Sequence, residues 1–96
     1  MEINKTMEGG KLTVKLVGRL DTITSPELEH ALQFDGVDSI EFDIAGIEYV
    51  SSAGLRIFLS VHKQMMNKGG MVIVGARPAV KEVFEITGFS DIFELR

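Results

Sequence analysis

The sequence predicts an α/β fold: a small mixed β-sheet with helices packed mainly on one face, in the order β-β-α-β-α-β-α plus a short C-terminal element. Three observations predict it. Gly9-Gly10 separates two strand-like runs, which calls for an antiparallel hairpin. Downstream, strand-like and helix-like stretches alternate, which calls for parallel pairing through right-handed crossovers. Two of the strands alternate apolar with polar residues, so one sheet face is buried and the other partly open. The 96 residues suit one domain spanning 1–96.

Each element has its own reason. Ile3 to Met7 is a weak strand. Gly9 and Gly10 tolerate the positive φ that a tight hairpin turn needs. Lys11 to Val17 places Leu12, Val14 and Leu16 on one face, with Thr13 and Lys15 on the other. In Thr24-Ser25-Pro26-Glu27, Ser25 is expected to cap a helix, Pro26 fits its first turn, and Glu27 suits the positive end of its dipole. Leu28, Ala31 and Leu32 form its buried stripe, and Asp35-Gly36 is expected to stop it. Ile40, Phe42 and Ile44 alternate with Glu41 and Asp43 in a further half-buried strand.

A second helix is expected from near Ser52 to near Lys68, ahead of Gly69-Gly70. Its apolar arc is wide. Leu55, Phe58, Leu59, His62 and Met66 form one stripe, and Ile57, Val61 and Met65 extend it sideways. Either a neighbouring element covers Ile57 and Val61, or they form a partner surface. Met71 to Val74 is a continuous apolar run, as a central strand has. Pro78 opens a third helix carrying Val80, Val83, Phe84 and Thr87, and Gly88 closes it. Ile92, Phe93 and Leu95 are expected to pack back on the core.

Composition limits the function classes. With no cysteine, disulfides and thiolate metal sites are excluded, and an intracellular, cytoplasmic location is the simpler expectation. MEINKTMEGG has no apolar core of a secretory signal, and no run is long enough to span a membrane. The net charge of -4 is uneven: Leu20 to Leu55 holds eight acidic residues and no Lys or Arg. That stretch disfavours nucleic acid and suits either solvent or a basic protein partner.

The chemistry concentrates in "YVSSAGLR", residues 49–56. It lacks the G-x-S-x-G elbow of a serine hydrolase. His62 would lie about 15 Å along the helix from Ser52, and His30 is on another helix, so neither can serve as a base. No catalytic residue is assigned. No metal motif, P-loop or dinucleotide fingerprint is present, and no cofactor is expected. Ser52 is expected to cap the second helix. The same helix start presents free N–H groups and positive partial charge, so a phosphate on Ser52 would be tolerated, with Arg56 one turn on. Gly54 would let a partner's backbone come close.

These residues carry a family resemblance. "GRLDTITSPELE" at 18–29, "FDIAGIEYVSSAGLRIFLSVHKQMMNKGGMVIVG" at 42–75 and "VFEITGFSDIFEL" at 83–95 resemble the STAS domain of bacterial anti-sigma-factor antagonists over essentially the full chain. The resemblance implies a partner switch rather than an enzyme. The unphosphorylated protein would bind an anti-sigma factor with serine kinase activity and free a sigma factor. Phosphorylation would end binding, and a serine phosphatase would restore it. The family's phosphorylated position falls on Ser52. Ser51 stands where the family often has Asp, and is the alternative acceptor. Asp21 matches a family acidic residue near the phosphorylation loop.

The partner face is expected to comprise Asp21, the loop Tyr49 to Gly54 with Ser51 and Ala53, and the flank Arg56, Ile57, Ser60, Val61 and Gln64. Phosphate would add about -1.5 to -2 charge beside an acidic region. It is therefore expected to act outward, blocking a partner rather than remodelling the fold. The competing expectation is a constitutive STAS scaffold, or a subunit of a signalling or lipid-transport complex, in which the serine is only a cap.

Overall fold

A computed structural model describes residues 1–96. β1 (Glu2–Glu8) and β2 (Lys11–Leu20) form the hairpin, with Glu8 opposite Lys11 and both turn glycines at positive φ. The chain continues through α1 (Ser25–Ala31), β3 (Ser39–Val50), α2 (Ser52–Met65), β4 (Met71–Val74), α3 (Pro78–Ile86), a 3₁₀ turn at Phe89–Asp91 and β5 (Glu94–Leu95). The sheet order is β1-β2-β3-β4-β5. Only the hairpin is antiparallel; β2–β3, β3–β4 and β4–β5 are parallel, as the crossover helices require.

Alternation sets which face is covered. Leu12 lies beside Ile40 and Val14 beside Phe42, while Ile40 lies beside Met71 and Phe42 beside Ile73. All six are buried on the helix-covered face. Glu41, Asp43, Val72 and Val74 point to the other face and are half-buried. Phe58, in the middle of α2, holds the aromatic centre of the core. It meets Phe42 edge-on at 5.1 Å, Phe84 at 6.2 Å and Phe93 at 6.4 Å. Elements far apart in sequence thus meet on one side chain.

The wide apolar arc of α2 has a structural cause. Ile57 and Val61 are 7% and 2% exposed, because α1 and the segment after it lie alongside α2. Leu32 and Phe34 border the same crevice as Ile57 and Val61. Met66, at the end of the expected stripe, is exposed instead, since α2 ends at Met65 rather than near Lys68. The amides of Lys68 and Gly70 both return to the Met65 carbonyl and close the helix three residues early.

Three other expectations are corrected. Ser25 is not the cap of α1: Thr24 occupies that position, and Ser25 is buried in the first turn with its hydroxyl unpartnered. α1 stops at Ala31, where Leu32 turns extended, and Asp35-Gly36 forms a separate turn beyond it. Of the C-terminal apolar residues, Phe93 is buried and Leu95 half-buried, but Ile92 is exposed.

Candidate functional site

The site is built where β2 and β3 end. Leu20 and Val50 are in register, and the Ser51 amide donates to the Leu20 carbonyl at 2.8 Å. Ser51 is extended, at φ -89 and ψ 173, so the chain leaves the sheet there and enters α2. Its carbonyl accepts the first helical bond, from Leu55 N at 3.0 Å. Its hydroxyl accepts from Gly54 N at 3.4 Å, a long bond. Ser51 is therefore the cap that sequence reasoning assigned to Ser52. Ser52 is the first helical residue and is exposed.

That one-residue difference separates the two serines by role. Ser51 is half-buried and turned onto the helix end, while Ser52 faces solvent. No acidic residue lies in the first turn of α2, so its N–H groups and positive partial charge are unopposed. Arg56, one turn on, is exposed and forms no ion pair. This end of α2 can therefore accept a dianionic group on Ser52.

The small size of Gly54, expected to open the loop to a partner, is used inside the fold. The residue is buried, and a Cβ there would lie 2.7 Å from Leu20 Cγ and Cδ2. The missing side chain lets α2 lie against the end of β2. Ile57 and Val61 also face inward. Of the expected flank, Arg56, Ser60 and Gln64 remain exposed, and Ala53 is half-buried. An open groove of about 540 Å³ runs beside them between α1 and α2, bordered by Thr22, Glu29, Ala53, Arg56 and Lys63 among others.

Asp21 stands directly after the Leu20 carbonyl that holds Ser51. Its Oδ1 accepts from the amides of Ile23 and Thr24, both at 3.0 Å. The Thr24 hydroxyl donates to the Arg19 carbonyl at 2.6 Å and accepts from the Asp21 amide at 2.9 Å. The Thr24 amide foremost holds the Asp21 carboxyl below the usual carboxylate range; partial burial opposes this, and the Ile23 amide, Thr24 hydroxyl and Arg19 add to the lowering. Arg19 also lies over the exposed Tyr49 ring, 4.5 Å from its centroid.

Sequence reasoning passed over Arg19 and Ile23. Arg19 could have been found from parallel pairing, which sets it beside Tyr49. Ile23 carried no signal, because an apolar residue in a loop reads equally well as covered. His62 packs against Phe93 at 5.8 Å, and His30 is an exposed residue of α1.

Fold and site together define a small α/β domain whose exposed serine stands at the start of a helix packed on a mixed sheet. The chain belongs to the STAS domain family, whose profile matches residues 2–96. It is 37% identical over 97 residues to BtrV of Bordetella bronchiseptica, described as a candidate anti-sigma factor antagonist, with 97% of this chain and 84% of BtrV aligned. It is 31% identical over 99 residues to the anti-sigma-B factor antagonist of Staphylococcus aureus, covering 99% of this chain and 92% of that protein. The crystal structure of an anti-sigma factor antagonist from Mycobacterium paratuberculosis matches it with a TM-score of 0.87, at 25% identity, over 98% of this chain and 83% of that one.

Proposed function

We propose that this protein is an anti-sigma factor antagonist switched by phosphorylation of Ser52. Unmodified, it binds an anti-sigma factor with serine kinase activity through the turn that Asp21 opens, the Tyr49–Ala53 loop and the exposed flank of Arg56, Ser60 and Gln64. Binding releases the sigma factor. Phosphate on Ser52 ends binding, and a serine phosphatase restores it. The full-length relationship to anti-sigma factor antagonists supports the partner class.

One observation favours Ser52 over Ser51 as the acceptor: Ser52 is exposed, whereas the Ser51 hydroxyl is engaged with Gly54 N. A kinase must reach the hydroxyl it modifies. The added charge meets only Arg56 and the helix dipole within this chain, so its effect is directed at the partner.

The test is incubation with the anti-sigma factor kinase encoded by the same genome and ATP, followed by intact mass and peptide mapping. A single phosphate on Ser52, absent in Ser52→Ala, with loss of partner binding, is the expected result. No mass gain, with binding retained by Ser52→Asp, would instead identify a constitutive scaffold.

A further inference from the structure

Ile23 has no part in packing the fold. Its side chain is 80% exposed. Yet its backbone is firmly held: the Asp21 carboxylate accepts the amides of Ile23 and Thr24, and the Thr24 hydroxyl ties the turn back to Arg19. Exposed turns ordinarily use Gly, Asn, Asp or Ser. A β-branched residue has restricted χ1 freedom, so less is lost when another surface buries it. An isoleucine displayed on a braced turn is thus preorganised for contact.

The turn belongs to the serine face. Leu20, which precedes Asp21, accepts the Ser51 amide at 2.8 Å. Arg19 joins the turn to Tyr49: its Nε is 3.9 Å from Asp21 Oδ2, and its guanidinium covers the Tyr49 ring, which is 42% exposed. Ile23, Arg19 and Tyr49 are thus linked through Asp21, at the strand ends from which the Ser51 amide is held. Arg and Tyr are enriched among residues that dominate interface energies, and such residues cluster near the centre of an interface.

We propose that Ile23 is the apolar anchor of this face, inserting into an apolar pocket of the anti-sigma factor, and that Asp21 is a positioning residue that holds it out. The inference rests on the antagonist reading above. The Asp21 carboxylate is already engaged by two amides, which leaves its main service inside the turn rather than across the interface.

Calorimetry with the anti-sigma factor kinase encoded by the same genome tests this. Ile23→Ser is expected to weaken binding about 30-fold or more, the effect of losing a hot-spot side chain. Ile23→Val is expected to weaken it about fourfold, the effect of one methylene. Both keep the wild-type Tm, since the side chain is exposed. Asp21→Asn, which keeps the Oδ1 acceptor, binds near wild type, while Asp21→Ala binds as poorly as Ile23→Ser. Wild-type affinity in Ile23→Ser overturns the inference alone. Equal loss in Asp21→Asn and Asp21→Ala also overturns it, because the charge would then be the contact. If the wild-type protein does not bind, the antagonist reading falls and takes the inference with it.

Discussion

Gly54 and Leu20 are in contact so close that residue 54 has no room for a side chain: a Cβ there would sit 2.7 Å from two carbons of Leu20 and 3.2 Å from its carbonyl oxygen. Leu20 is fully buried at the end of β2, and it also receives the Ser51 amide. The start of α2 is thus fixed to the sheet by one hydrogen bond and one missing methyl group. Everything on the serine face inherits its position from this junction.

Gly54→Ala therefore sets two effects against each other. Alanine in a helix is favoured over glycine by roughly 1 kcal/mol. Overpacking a tight contact costs about 1–3 kcal/mol. The Leu20 side chain is fully buried and has no free space to swing into, so the clash should win. Urea denaturation is expected to give a lower midpoint, with a net loss of about 1 kcal/mol or more. A midpoint at or above wild type would refute the tight junction.

The two serines should separate in stability measurements. Removing an N-cap hydroxyl costs about 0.5–2 kcal/mol. The Ser51–Gly54 bond is long at 3.4 Å, which places Ser51→Ala near the lower end of that range. Ser52 is exposed and outside the cap, so Ser52→Ala should stay within about 0.5 kcal/mol of wild type. Thermal melts of both variants check this; the reverse ranking would return the cap to Ser52.

Asp21 gives a pH signature. Its folded-state pKa is lowered, chiefly by the Thr24 amide. The unfolded state therefore takes up its proton first as pH falls. The stabilisation is fully present above about pH 4, the ordinary value for Asp, and is lost as pH drops through the folded-state value. Asp21→Asn lacks this step. Its stability should lie below wild type near neutral pH, and the two curves should converge in acid. Parallel curves from pH 6 to 2 would remove Asp21 from acid unfolding.

The parts of this fold that repeat were readable before the structure. Alternation in Leu12–Leu16 and Ile40–Ile44 marked the covered sheet face, and Gly9-Gly10 marked the hairpin, because period and turn chemistry act locally. The cover over Ile57 and Val61 was not readable, since it depends on where α1 comes to rest. Which serine caps α2 was equally hidden. Ser51 and Ser52 have the same capping chemistry, and a helix start known to within one residue cannot separate them. The bond that the Ser51 amide donates to the Leu20 carbonyl decides it, and no local pattern shows that bond, because it requires the β2–β3 register.

Ser51 also carries a prediction about the phosphorylated state. Aspartate is a good N-cap, and its charge suits the positive end of a helix, a gain of about 0.3–1 kcal/mol. α2 has no acidic residue in its first turn to supply that charge already. Ser51→Asp should therefore stabilise the unmodified protein by that amount. Phosphate on Ser52 would place about -1.5 to -2 further charge on the adjacent residue, drawing on the same N–H groups and on Arg56. Like charges at such separation repel, and the shared donors cannot serve both in full. The gain from Ser51→Asp should then shrink or reverse in phosphorylated protein. Urea denaturation of the four species, with and without the substitution and the phosphate, measures this coupling directly. An equal gain in both states would mean that the phosphate points away from the helix end and that its tolerance owes nothing to the dipole.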